Sequence, residues 1–207
     1  MTHRGLFVVL EGIDHSGKTI QAHELVNHFE TLEFPVKYLR FPDNESSVGK
    51  MLRDFLSGSQ KLDPRTAQLL FSANRAAIAP QIIGDLEAGI NIVCDRYSYS
   101  GIAYGTAEGL DFEWLKSLEK GLPAPDVVLF LDMDVETALK RHDPGTPYDC
   151  YENVRFQTSV QKVYREKLFS RGWQKIDADA PQLVVFERIL LALGPYDGAT
   201  GPVKIQE

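Results

Sequence analysis

A glycine-rich stretch near the start of the chain has residue types and spacing suited to binding phosphate. Residues 12–19, Gly-Ile-Asp-His-Ser-Gly-Lys-Thr, fit the pattern G-x-x-x-x-G-K-[ST] between an apolar run and a helical one. Glycines let the backbone curl so that its N–H groups point at phosphate oxygens, and a helix N-terminus adds partial positive charge. We expect Lys18 to reach the outer phosphates of a nucleotide and the Thr19 hydroxyl to ligate Mg²⁺. The pattern therefore predicts a phosphate-binding loop (P-loop).

A second candidate site is the segment VCDRYSYSGIAY, residues 93–104. It places Asp95 and Arg96 at the carboxyl end of an apolar strand, where open α/β sheets bind ligands. The aspartate can support a metal ion and the arginine can hold a phosphate. A purely structural Asp–Arg pair at a strand end would explain this dipeptide, but it would not explain the three tyrosines that follow, Tyr97, Tyr99 and Tyr104.

A third candidate is LLFSANR, residues 69–75, in a long helical pattern. Phe71 and Arg75 are four residues apart and share a helix face. The ring is suited to stacking on a base and the guanidinium to hydrogen bonding its edge. Taken alone, Phe71 would more commonly be a core residue, but a P-loop in the same chain favours the binding role.

The hydrophobic pattern alternates between short apolar runs and helical ones. Such alternation predicts an α/β layered fold with a parallel sheet. The predicted strands are 6–12, 36–41, 90–95, 127–132 and 173–177, and the predicted helices are 18–33, 47–57, 64–88, 111–119, 134–141, 153–170 and 182–193. Pro80 falls inside the third helix, where a kink or break is expected.

Composition limits the classes of function. The 207 residues carry a net charge of -7, which argues against non-specific binding to nucleic acid or to an anionic membrane. No apolar run approaches the ~20 residues of a membrane span, and two cysteines make a disulfide framework improbable. We expect one domain over residues 1–207, a lid at about 142–151, and a reducing cytoplasmic setting, with a nuclear or viral context left open.

With these motifs in order along the chain, the sequence resembles the thymidylate kinases, the P-loop kinases that phosphorylate dTMP in dTTP synthesis. The resemblance covers residues 5 to about 177 and is nearer to the eukaryotic and poxviral enzymes than to most bacterial ones. Its most specific parts are DRYSYSGIAY and GLPAPD. The motifs that carry it are EGIDHSGKT, RFP (40–42), LLFSANR, DRYSYSGIAY, GLPAPDVVLFL (121–131) and YENVRFQ (151–157).

The resemblance implies a three-layer P-loop kinase fold, with helices on both faces of a five-stranded parallel sheet. It also implies a homodimer that uses ATP with Mg²⁺ as donor and dTMP as acceptor. It implies that Asp14 lies near the sugar 3′-hydroxyl, Phe71 stacks on thymine, Arg75 reads the base edge and Arg96 contacts the acceptor phosphate. Tyr151 would pack under the deoxyribose, where a 2′-hydroxyl would clash. The implied acceptor site also includes Phe41, Pro42, Tyr97, Ser100, Gly101, Tyr104 and Gln157.

The donor side of the implied site is built mainly from the P-loop. It comprises Gly12, Asp14, His15, Ser16, Gly17, Lys18 and Thr19, together with Arg141 on the lid side. Thr19 and Asp95 are the expected metal residues, and Asp14, His15, Lys18 and Arg96 are the expected catalytic ones.

The chain departs from the family pattern at several places. Asn44 stands where an arginine usually reaches the transferred phosphates, and His15 stands where the eukaryotic-type loop carries Arg or Lys. The stretch 142–154 contains no Lys or Arg. A histidine is cationic only when protonated, and an unperturbed imidazole has a pKa of about 6.5. Ala76-Ala77 replaces a common Trp-Glu pair, which predicts a roomier acceptor pocket.

Three functions therefore stay open at the level of sequence. The first is a thymidylate kinase with altered phosphate binding, slower than usual or broader in its range of deoxynucleoside monophosphates. The second is a nucleotide-binding family member with a regulatory or interaction role. The third is a deoxynucleoside kinase with a related strand end. Intact Lys18, Thr19, Asp95 and Arg96 favour the first.

Overall fold

One parallel sheet forms the centre of the fold. The computed structural model describes residues 4–142, 145, 149–170 and 172–195. Neighbouring strands are all parallel, in the order β2-β3-β1-β4-β5, which confirms the predicted five-stranded sheet. The strands are β1 (Phe7–Glu11), β2 (Val36–Arg40), β3 (Asn91–Asp95), β4 (Val127–Asp132) and β5 (Trp173–Asp177).

The three central strands are buried along their whole length, as their continuous apolar runs predict. Alternate side chains of β1 belong to different hydrophobic clusters. Phe7 and Val9 pack in one cluster, and Val8 and Leu10 pack in the other. Because successive side chains of a strand point to opposite faces, both faces of the sheet are covered.

Helices fill the two outer layers. They are α1 (Lys18–Thr31), α2 (Ser47–Leu56), α3 (Pro64–Glu87), α4 (Ser98–Ala107), α5 (Phe112–Leu118), α6 (Val135–Lys140), α7 (Val154–Val163) and α8 (Gln182–Leu193). Five of these begin at a side chain that accepts a hydrogen bond from a backbone N–H of the first turn. The capping residues are Ser46, Asp63, Asp111, Asp134 and Asn153.

Three features differ from the expected pattern. Helix α4 lies in a segment for which no helix was predicted. Helix α3 continues through Pro80 without a break, where a kink or break was expected. The helix predicted over 153–170 changes after α7 into a π-helical segment, Tyr164–Leu168.

Other expectations concern single segments. Cys94 is buried, Cys150 is exposed, and both thiols are free. Of the predicted lid, only residues 142, 145 and 149–151 belong to the described part of the chain. Within that described part, the helices lack the length and apolar character needed to cross a membrane.

Candidate active site

The loop between β1 and α1 has the backbone that its glycines predict. Gly12 and Gly17 have φ angles of 148° and 92°, in a region that side-chain-bearing residues rarely adopt. A Cβ at Gly12 would lie 2.6 Å from the carbonyl oxygen of Leu131 on β4. Any other residue at position 12 would therefore push the loop away from the sheet.

Lys18 is buried at the first turn of α1. Its Nζ donates to the carbonyl oxygen of Ile13 and lies 3.2 Å from Ser16 Oγ, so it points back along the loop. Burial lowers the pKa of Lys18 to about 7, and the neighbouring Arg96 guanidinium adds to this effect. A phosphate in the loop would favour the charged ammonium, because opposite charge nearby stabilises the ionised form.

Thr19 and Asp95, the two expected metal residues, are in direct contact. Thr19 Oγ1 donates to Asp95 Oδ2 at 2.5 Å, and the Tyr38 hydroxyl lies 3.4 Å from the same oxygen. Asp95 Oδ1 is buried and has no hydrogen-bond partner among the described residues. A hydroxyl beside an unsatisfied carboxylate oxygen is the kind of hard oxygen donor set that Mg²⁺ prefers. These residues therefore fit a magnesium ion.

Arg96 links the loop to α4. Its φ angle is 67°, and its Nη1 donates to Gly12 O at 3.0 Å and to Ser100 Oγ at 3.1 Å. Its Nη2 donates to Asp14 Oδ1, and its guanidinium carbon lies 5.3 Å from the centre of the Tyr104 ring. The guanidinium is thus fixed at the entrance of the loop, where a second phosphate group can reach it.

Asp14 accepts hydrogen bonds from three side chains. Besides Arg96, the Tyr104 hydroxyl donates to Oδ2 at 2.9 Å and Gln157 Nε2 donates to the same oxygen. The Asp14 N–H donates to Gln157 Oε1 at 3.0 Å, so Gln157 is bonded to the residue twice. Burial raises the pKa of Asp14, but the charges of Arg96 and Lys18 outweigh it and leave the pKa below its ordinary value.

Arg75 is buried and held by a bidentate pair with Glu119. Its Nε and Nη2 donate to the two carboxylate oxygens at 2.8 and 2.5 Å. Gly101 on α4 makes room for this side chain, since a Cβ there would lie 2.6 Å from Arg75 Nη2. Phe71, one turn earlier on α3, is half-buried and lines the same cavity, as predicted.

Tyr151 is buried in a group of aromatic rings. Its ring stacks on Phe156 with centroids 5.0 Å apart and meets the edge of Tyr104 at 5.4 Å. Its hydroxyl donates to Glu108 Oε1 at 3.2 Å. The ring therefore forms a fixed wall of the cavity.

Tyr97 lies at the expected acceptor site, and its role there remains a prediction. Its ring packs against Phe7 and Phe41, with centroids 5.2 and 5.6 Å away, and its hydroxyl donates to Pro123 O at 3.2 Å. The residue borders the cavity, but its side chain belongs to the hydrophobic core.

His15 and Arg141 both line the cavity. His15 Nε2 lies 3.1 Å from Glu152 Oε1, so a charge on this histidine would be paired with a carboxylate. Arg141 Nη2 donates to the carbonyl oxygens of Ala178 and Ala180 at 3.3 and 3.4 Å. The roles expected of these residues remain predictions.

The two alanines do not enlarge the pocket. Ala76 and Ala77 are exposed on α3 and are not among the residues that line the cavity. The expectation of a roomier acceptor pocket on their account is therefore wrong for the arrangement of this chain. Asn44 is also exposed, and its carbonyl oxygen accepts from Arg53 Nη2 at 3.1 Å.

A single cavity of about 790 Å³ brings the predicted site residues together. Its lining includes every one of them except Gly12 and Gln157, which lie behind Arg96 and Asp14. One end is formed by the P-loop and the other by Phe71, Arg75 and Tyr151. Asp149, Glu152, Gln68 and Leu56 also line it and were not singled out from the sequence.

Glu11 is the supporting residue that sequence reasoning missed. It is fully buried and accepts from Tyr97 N–H, Ser100 N–H, Ser100 Oγ and the Tyr164 hydroxyl, at 2.7–3.2 Å. It thereby ties β1 to the first turn of α4. A carboxylate at the end of the apolar run LFVVLE was the signal that could have identified it.

The parallel sheet and the loop after β1 define the α/β P-loop kinase fold. The chain belongs to the thymidylate kinase family, because the family model for thymidylate kinase matches residues 10–189. It is 42% identical over 180 residues to the thymidylate kinase of Dictyostelium discoideum, covering 86% of this chain and 80% of that protein. It is 35% identical to the human thymidylate kinase, covering 90% and 88% of the two chains.

Solved structures agree with this assignment. The chain superposes on a thymidylate kinase from Candida albicans, described as having broad substrate specificity, with a TM-score of 0.78. The two are 33% identical, and the match covers 90% of this chain and 91% of that one.

Proposed function

We propose that this chain transfers the γ-phosphoryl group of ATP to dTMP, giving ADP and dTDP. The observation that carries the proposal is the shared cavity, in which the P-loop faces a pocket of aromatic and arginine side chains with Arg96 between them. Membership of the thymidylate kinase family supports the same reaction.

The P-loop end would hold the donor. Phosphoryl transfer depends on alignment and charge neutralisation, with little covalent work for the protein. The loop N–H groups and the Lys18 ammonium would hold the β- and γ-phosphates, while Arg141 at the cavity edge would contact the rest of ATP. An oxygen of the acceptor phosphate would bond to the γ-phosphorus as the bond to the β–γ bridging oxygen breaks.

Arg96 would hold the acceptor phosphate. Its guanidinium is fixed by Gly12, Ser100 and Asp14, so it does not need to be ordered when substrate binds. Such preorganised positive charge stabilises charge that develops in the transition state. Asp14 keeps this arginine in position and also faces the place proposed for the sugar 3′-hydroxyl.

Thr19 and Asp95 would hold Mg²⁺ with the ATP phosphates. When bound, the ion would neutralise part of the phosphate charge. The unsatisfied Oδ1 of Asp95 is the observation that supports this assignment.

The far end of the cavity would hold the nucleoside. Phe71 would stack on the base, and Arg75 would face the base edge with Nη1, since Nε and Nη2 are engaged by Glu119. Tyr151, fixed by its ring neighbours, would leave space for a deoxyribose and crowd a 2′-hydroxyl. Uridine monophosphate should therefore be a poor acceptor.

We also propose that the chain forms a homodimer through α3. Five exposed apolar residues recur along this helix with spacings of three and four, which gives one stripe. They are Leu69, Ala73, Ala76, Pro80 and Ile83. A single domain and an intracellular setting complete this proposal.

The acceptor range would extend beyond dTMP to other deoxynucleoside monophosphates such as dUMP. Support comes from the likeness to the Candida albicans enzyme and from the size of the cavity, and Ala76-Ala77 gives none.

A coupled ATPase assay with dTMP, dUMP, dGMP and thymidine tests these proposals. We expect dTMP to turn over fastest, with Mg²⁺ required, and Lys18→Met to abolish the rate. Faster phosphorylation of thymidine than of dTMP would show a nucleoside kinase instead. ATP binding without turnover of any acceptor would show a regulatory nucleotide-binding protein.

A further inference from the structure

Three metal-ligating side chains from separate segments meet beside the P-loop. His15 lies in the loop before α1, His142 follows α6, and Glu152 precedes α7. His15 Nε2 is 3.1 Å from Glu152 Oε1, and His142 Nδ1 is 3.6 Å from Glu152 Oε2. The two imidazole rings meet edge to face with centroids 5.0 Å apart. We call these three residues the His-His-Glu cluster.

We propose that the His-His-Glu cluster binds a single Zn²⁺ ion. Two imidazole nitrogens and one carboxylate oxygen form a donor set typical of zinc with an open fourth position. Ligand atoms about 2 Å from a tetrahedral ion are about 3.3 Å apart. The three ligand atoms already lie within 4.8 Å of one another, so closing around an ion requires only small side-chain movements.

The surroundings of the cluster favour a metal ion. The side chains of His15, His142 and Glu152 are 20%, 5% and 13% exposed, so the ligands are largely shielded from water. The Asp149 N–H donates to Glu152 Oε2 at 3.3 Å, a contact of the kind that orients a ligating carboxylate. The Glu152 charge offsets part of the charge of a divalent ion.

This site is chemically distinct from the Thr19–Asp95 pair. That pair offers only oxygen atoms, which suit Mg²⁺, whereas imidazole nitrogens favour Zn²⁺. His15 and Glu152 line the main cavity, so the open position of the ion would face the space proposed for phosphates. A water molecule or a phosphate oxygen would complete the coordination.

Titration of the nucleotide-free, full-length protein with Zn²⁺ by calorimetry tests the proposal. We expect one ion per chain, and we expect His142→Asn and Glu152→Gln each to weaken binding by at least ~10-fold. Two matched controls should bind as the unsubstituted protein does: His28→Asn, which removes a histidine of α1, and Asp95→Asn, which alters the magnesium residues. Co²⁺ in place of Zn²⁺ should give the visible absorption bands of a tetrahedral site, and both cluster variants should lose them.

Either of two results would overturn the proposal. One is absence of stoichiometric Zn²⁺ binding, which would leave the cluster as two ordinary histidine–carboxylate contacts of Glu152. The other is equal Zn²⁺ affinity in the unsubstituted protein and in both cluster variants. Circular dichroism and thermal unfolding establish that each variant is folded. The two cluster variants change different segments, so if one variant fails to fold, the other still tests the proposal.

Discussion

Replacing Gly101 with alanine is the sharpest test of the base-reading role of Arg75. The added Cβ would lie 2.6 Å from Arg75 Nη2 and 3.4 Å from its Cζ. Non-bonded heavy atoms are favourably placed at about 3.5–4.0 Å, so the guanidinium must move by about 1 Å. It cannot do so freely, because Glu119 holds it through two hydrogen bonds in a buried position.

The size of the effect follows from this geometry. Overpacking of this kind costs about 1–3 kcal/mol, while alanine gains about 1 kcal/mol over glycine inside a helix. Net stability should therefore fall by about 0–2 kcal/mol, or at most about 8 °C in Tm for a chain of this size. A misplacement of about 1 Å in a substrate-positioning group can cost as much as ~100-fold, so we expect kcat/KM for dTMP to fall ~10- to 100-fold.

Steady-state kinetics with dTMP and ATP varied separately measure this effect. The KM for ATP should stay unchanged, since the P-loop lies at the other end of the cavity. Gly84→Ala is the matched control, because Gly84 is also inside a helix but a Cβ there meets nothing within 4 Å. A folded Gly101→Ala protein with unchanged kcat/KM for dTMP would refute the assignment of Arg75 to the base.

Three further predictions concern the sugar, the phosphate and pH. Tyr151→Gly should narrow the gap between dUMP and UMP rates, because it removes the wall that crowds a ribose 2′-hydroxyl; an unchanged ratio contradicts this. Asn44→Arg should lower the KM for dTMP or raise kcat, since a charge-assisted contact is worth about 1.5–3 kcal/mol gross. If neither the KM for dTMP nor kcat changes, another cation, such as Arg40 in the cavity lining, already contacts the phosphates. Burial raises the pKa of Glu108 despite hydrogen bonds from Gln68 and Tyr151, so the folded state binds its proton more tightly than the unfolded state does. The free energy of unfolding should therefore fall relative to that of Glu108→Gln as pH rises from about 4 to 7, which urea unfolding at several pH values measures. If the free energy of unfolding depends on pH in the same way in both proteins, the pKa of Glu108 is not raised in the folded state.

The strands and the P-loop could be predicted because their signals are local. Each central strand is covered on both faces, so it appears as an uninterrupted apolar run in the sequence. Positive φ at Gly12 and Gly17 accounts for the two glycines of the loop. The predicted strand bounds agree with the structure to within one residue.

Helix α4 could not be predicted from periodicity. Six of its ten residues are buried, so the polar face that marks a surface helix is missing. Two glycines and two tyrosines in SYSGIAYGTA further weaken its helical propensity. For α3, the sequence pattern predicted too little helix, because Pro80 was expected to interrupt it. Pro80 lies on the exposed side of α3, where the helix continues without a break.

The contacts that support the site are also invisible to local patterns. Glu119 is 44 residues from Arg75, and Gln157 is 143 residues from Asp14. Ala76 was expected in the pocket because it stands where the family pattern has a tryptophan, directly after Arg75. One residue turns a helix by about 100°, which carries Ala76 to the exposed face.

Helix α4 has a consequence for redesign of the acceptor preference. Its residues contact different parts of the site. Ser100 donates a hydrogen bond to Glu11, Gly101 packs against Arg75, and Tyr104 donates a hydrogen bond to Asp14. At Gly105 an added Cβ would lie 2.7 Å from the Leu115 side chain. Substitutions at Ser100, Gly101 or Tyr104 would therefore disturb Arg96 or Arg75, because these three residues contact the two arginines. Leu56 lines the same cavity and has no role in the proposed site, so substitution of Leu56 is a better way to make room for a different base.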